Sequence, residues 1–86
     1  MSVKDNMAAA GYAPASEVAL ALGKALSTVH RMVEKLGLDH QRDDRFLYVS
    51  VKALVEHYRA RGDNTIVLQT LLPLAKSYGV RVRDVD

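Results

Sequence analysis

The 86-residue sequence has no cysteine, so disulfide staples and thiolate metal sites are both excluded. No apolar run approaches the roughly 20 residues needed to span a bilayer. The start, Met1-Ser2-Val3-Lys4-Asp5-Asn6, leads only into a short alanine patch and lacks the apolar core of a signal peptide. A cytoplasmic protein without a membrane partner is therefore expected. Charge of one sign is also scarce: 12 Lys and Arg against 10 Asp and Glu leave a formal +2. So small an excess says little about partners, and the location of the charges has to carry the argument. What remains is 49% apolar and 26% charged, the balance of one small folded domain with a limited core.

Glycine and proline punctuate the chain. Ala8-Ala9-Ala10 is closed by Gly11, and residues 1–13 read as a separate N-terminal segment, either a short helical turn or frayed. Pro14 and Ser16 announce a helix, with Ser16 as its N-cap and Glu17 in the first turn; Gly23 ends it. Leu26, Val29, Met32, Val33 and Leu36 then recur at offsets of three and four, which predicts a second helix with that inward face, stopped by Gly37. The polar centre of Leu38–Val49 lies between Leu38 and a run of aromatic and β-branched residues. This predicts a β-hairpin turning at Arg42 to Arg45. Ser50 is placed to cap a third helix, Val51–Arg61, with Leu54, Val55 and Tyr58 inward. Asp63 or Asn64 caps a fourth, strongly apolar helix that Pro73 should kink or split. Val80-Arg81-Val82-Arg83 alternates like a short strand or an extended arm.

The expected fold is mostly α: a small winged helix-turn-helix of three to four helices and a two-stranded hairpin wing. It divides into the segment 1–13, a core domain over 14–62, an additional apolar helix over 63–79 and a tail over 80–86. Two helices separated by a Gly-led turn form a helix-turn-helix, whose second helix can enter the DNA major groove. Ala19 is small where the helices approach, Gly23 makes the turn, and Val29 and Met32 meet Val18 and Leu22. The outward positions Ser27, Thr28, His30, Arg31, Glu34 and Lys35, with Lys24 in the turn, are left for solvent or a partner. Ser, Thr, His and Arg donate to phosphate oxygens or base edges, and Arg fits guanine bidentately.

The spacing Ala19, Gly23, Val29 resembles the helix-turn-helix signature. The string Ser27-Thr28-Val29-His30-Arg31 resembles the opening of the recognition helix in MerR-like and phage excisionase-like winged helices, with His30 where Tyr is usual. Arg45-Phe46-Leu47-Tyr48-Val49-Ser50, followed by Leu54 and Tyr58, looks like the wing strand and capped helix of the excisionase-like branch. The resemblance covers roughly residues 14–60. It implies a wing whose Arg42 and Arg45 touch the DNA backbone or minor groove beside the recognition helix. Lys24, Ala25 and Leu26 depart from the pattern, which has an apolar residue after the glycine and then a Ser cap. Ser27 is the substitute cap, so the recognition helix is expected to begin near Ser27.

Arg42 and Arg45 bracket Asp43-Asp44, and a solvated turn with local ion pairs is the alternative to a DNA-touching wing. His30, His40 and His57 lack metal-triad spacing, and the i,i+4 pair of His30 with Glu34 has no third ligand; neither metal nor cofactor is expected. No nucleophile–base pair, phosphate loop or paired carboxylates are visible, so no enzyme is expected. The functions that fit are double-stranded DNA binding by a phage or mobile-element type repressor or excisionase-like factor, or DNA recognition within a packaging or replication complex. From another class comes an anti-repressor type protein-interaction module docking through Leu68, Leu71 and Leu72. The fourth helix either folds back on the domain or pairs with a second copy in a homodimer.

Overall fold

The computed structural model describes residues 3–44 and 46–80. Its helices are α1 (Val3–Ala9), α2 (Ala15–Leu22), α3 (Leu26–Leu36) and α4 (Val51–Ala60). A last helical run follows, made of α5 (Asn64–Ile66), a π-helical turn (Val67–Leu71) and α6 (Leu72–Ser77). Three strands, β1 (Tyr12–Pro14), β2 (His40–Asp43) and β3 (Phe46–Ser50), form an antiparallel sheet in the order β1-β3-β2. This is a mostly α architecture with a small sheet, compatible with a winged helix-like fold. The expected hairpin has a third strand beside it, too short at Tyr12–Pro14 to show alternation in the sequence.

Local chemistry explains most of the boundaries. Gly23 closes α2 in the left-handed region at φ 66, where a side chain is strained. There the Gly23 N–H donates to the Leu20 carbonyl at 3.2 Å and the Lys24 N–H to the Ala19 carbonyl at 2.9 Å. That pattern satisfies two of the carbonyls left free at the helix end. Ser50 caps α4 as expected, its Oγ accepting from the Ala53 N–H at 3.2 Å. Ser16 does not cap α2. The pairing of Pro14 with Tyr48 holds the chain extended up to Pro14, so the helix starts at Ala15 and Ser16 is already inside it. Pro14 suits this place because β1 is an edge strand, where a missing N–H need not break the ladder. Nor does Ser27 cap α3: the helix begins one residue earlier, at Leu26, with Ala25 as N-cap and no side-chain cap bond.

The hairpin is tighter than the Arg42 to Arg45 turn expected from the sequence. Asp43 pairs with Phe46, which puts Arg42 inside β2, opposite Leu47, and Asp44 next in the chain after the paired residues. Asp44 has φ 56, a left-handed conformation that Asp tolerates better than bulkier residues. Leu47 and Val49 point into the core with Ala13, while Phe46 on the opposite face is 59% exposed.

A single core cluster takes Val18 and Ala19 from α2, Val29 and Val33 from α3, and Leu54, Val55 and Tyr58 from α4. It also takes Val67, Leu71 and Ala75 from the last helical run, which therefore folds back on its own chain. Full burial of Val67 and Leu71 contributes about 1.5–3 kcal/mol each. Pro73 lacks an N–H, and the helix absorbs this by a wide turn ahead of it rather than a break: the Leu72 N–H donates to the Val67 carbonyl, five residues back. Thr70 Oγ1 donates to the Ile66 carbonyl at 2.7 Å in the same stretch. The end of the run is tied to α2 by Tyr78, whose hydroxyl donates to Glu17 Oε2 at 2.7 Å across 61 residues of sequence. Burial, and then this bond to a carboxylate, hold the Tyr78 hydroxyl well above the usual tyrosine range. Of the C-terminal alternation, everything after Val80 lies outside the described residues.

Candidate nucleic-acid interface

The surface that the sequence singles out is built by α3, the turn before it and the hairpin after it. The turn Gly23-Lys24-Ala25 sets α3 against α2, and only Val29 and Val33 of α3 are fully buried, with Met32 partly so. The inward face is thus narrower than the five residues expected. Leu26 and Leu36 are the first and last residues of the helix and are 47% and 43% exposed.

The rest of the helix surface is polar. Ser27, Arg31, Glu34 and Lys35 are exposed, whereas Thr28 and His30 are half-buried at the edges of the packed face. Lys24 is exposed in the turn. Eleven residues of α3 make a rod about 16 Å long, at 1.5 Å per residue. Arg31 and Lys35 are four apart and so share one side of it.

The hairpin adds Arg42 to this surface. Its guanidinium Nη2 lies 3.4 Å from Glu34 Oε1, an ion pair joining β2 to α3. Two further bonds fix the connection between these elements. His40 Nδ1 lies 2.8 Å from the Leu38 carbonyl, and Tyr12 donates its hydroxyl to Asp39 Oδ2 at 2.8 Å. The predicted residues Lys24, Ser27, Thr28, His30, Arg31 and Lys35 therefore belong to one continuous stretch of turn and helix, and Arg42 reaches it through Glu34. Arg45 lies outside the described residues.

Helical spacing turns Glu34 outward, but its partner Arg42 is not legible in the sequence, because a contact between a helix and a later hairpin leaves no periodic signal. The exposure of Phe46 was equally hidden: an aromatic in a strand reads as core until the sheet face is known.

A concavity of about 320 Å³ lies beside the start of β1, among Gly11, Tyr12, Asp39, Ser50, Lys52 and Tyr78. Among the described residues, no three His, Asp or Glu side chains come together in a way that could hold a metal ion. No described helix is long and apolar enough to cross a membrane. Compared with protein families, with curated proteins and with solved structures, the chain matches none.

Proposed function

We propose that the protein binds double-stranded DNA in a sequence-specific manner, with α3 as the recognition helix in the major groove and the hairpin alongside. The observation that carries this reading is the one-sided division of α3. Two valines anchor it, and a continuous outer face presents Ser27, Arg31 and Lys35, with Lys24 at its head and Arg42 at its flank. A helix of this width enters the major groove. Its Arg is the natural bidentate partner of guanine O6 and N7, while Lys24, Lys35 and Arg42 suit phosphate oxygens. A regulator of the phage or mobile-element type, repressor or excisionase-like, is the biological role that such a small reader serves. The same helix would equally serve a packaging or replication complex.

The test is selection of binding sites from random duplexes, followed by affinity measurement across a salt series. A defined consensus and a steep loss of affinity with salt support the reading. Absence of binding at low salt, or binding indifferent to salt, overturns it. A palindromic consensus would in addition indicate binding as a homodimer.

The interaction-module reading keeps one observation in its favour: Leu68 on the last helical run is 53% exposed. The three-leucine docking face expected from the sequence is not available, since Leu71 is fully buried and Leu72 partly packed against the core.

A further inference from the structure

We propose that Glu34 restrains binding to random DNA by holding Arg42 away from phosphate, and so widens the gap between matching and non-matching sites. The inference rests on the DNA-binding reading above.

The pair is placed for such a role. Glu34 is the sole acid of α3 and lies between Arg31 and Lys35 on its exposed side. Its partner comes from a different element, the hairpin strand β2. Arg42 sits opposite Leu47, which is 3% exposed, so the backbone of the arginine is anchored while its guanidinium stays within reach of solvent. The two side chains are 46% and 70% exposed, and a phosphate oxygen can therefore compete with the carboxylate for Arg42.

The carboxylate acts twice against a duplex that offers only phosphates. It occupies one of the few cations of the surface, and once Arg42 leaves, its unpaired charge repels the backbone. A matching site can offset this loss by presenting a base-edge donor to Glu34. The N4 amine of cytosine is the donor in the major groove that a carboxylate accepts from. Glu34 thereby lowers affinity everywhere and lowers it least where such a base is present.

The experiment measures binding of a random-sequence duplex and of a selected duplex across a salt series. It compares the natural protein, Glu34→Gln, Arg42→Gln and the double variant. Both side chains are at the surface, and a urea melt of each variant checks that the fold is kept. Glu34→Gln is expected to bind the random duplex about two- to fivefold more tightly, the range of an exposed ion pair. It should also steepen the dependence of log K on log salt by up to about 0.9, one additional phosphate contact. Its ratio of selected to random affinity should fall. With Arg42→Gln in the background, the change in slope should shrink to the part that comes from repulsion of phosphate by Glu34 alone, and an undiminished change would show that Arg42 is not what Glu34 restrains. If the natural protein binds DNA while Glu34→Gln leaves random-duplex affinity unchanged or weaker, the restraint is overturned and the DNA reading stands. If the natural protein shows no salt-dependent binding, both fall together.

Discussion

Two amphipathic helical segments of this protein use their surfaces in opposite ways. The helix α3 buries little, Val29 and Val33, and turns a charged and hydroxyl-bearing face outward. The last helical run, Asn64–Ser77, buries Val67, Leu71 and Ala75 in the common core and exposes mainly uncharged residues such as Thr65, Leu68 and Gln69. The first is anchored just enough to be held at an angle, whereas the second supplies core volume that so short a chain would otherwise lack. On the proposed DNA-binding reading, stability and recognition fall to different segments. Perturbing one should leave the property carried by the other in place.

The largest effect is expected at the structural segment. Leu71→Ala removes a side chain with no exposed surface and should lower unfolding stability by about 2–5 kcal/mol, measured by urea titration. A loss below about 1 kcal/mol would mean that the last run is dispensable to the core. The matching change on α3, Arg31→Ala, should weaken binding to a selected duplex by about 1–3 kcal/mol. At this exposed position the same change should move stability by no more than about 0.5 kcal/mol. A large shift in the urea midpoint with unchanged binding would reverse the assignment of roles.

Smaller effects sharpen the contrast within the scaffold. Ser50→Ala deletes the hydroxyl that accepts from the Ala53 N–H and should cost about 1 kcal/mol in the same urea titration. It should leave the salt dependence of DNA binding unaltered, since α4 lies outside the proposed interface. The smallest effect concerns the tie between the last run and α2. Tyr78 is held protonated by burial and by its bond to Glu17, so its folded-state value is raised above the unfolded one. Its contribution is present in full below about pH 10, the unfolded tyrosine value, and is lost as pH rises further towards the folded value. Tyr78→Phe should flatten that alkaline loss in a pH series of thermal melts. An equally steep loss in the variant would show that other groups govern it.

Much of the local structure could be read directly. The positions of Gly23 and Gly37, the Ser50 cap and the inward Leu54, Val55 and Tyr58 follow from interactions within a turn or two of the chain, which leave spacing and residue type as their trace. The outward stretch from Lys24 to Lys35 was legible for the same reason, as the complement of the inward face. Failures occurred where a distant partner overrode a local preference. Ser16 is a good cap in isolation, but pairing of Pro14 with Tyr48 starts the helix before it. Ala25 and Leu26 are poor at opening a helix, yet α3 opens there, with Val29 and Val33 anchored in the core one turn further on.

By itself, then, the sequence determined where most helices stop, that Ser27, Arg31, Glu34 and Lys35 of α3 face away from the core, and that a hairpin follows it. Only the tertiary structure decided that Tyr12–Pro14 joins the sheet, that the last helical run spends Leu71 on its own core, and that Glu34 meets Arg42 across two elements. The division has one cause. Hydrogen bonds within a helix or a turn link near neighbours and leave a pattern in the chain, whereas sheet pairing, core burial and ion pairs between elements link residues whose separation in sequence carries no information about their meeting.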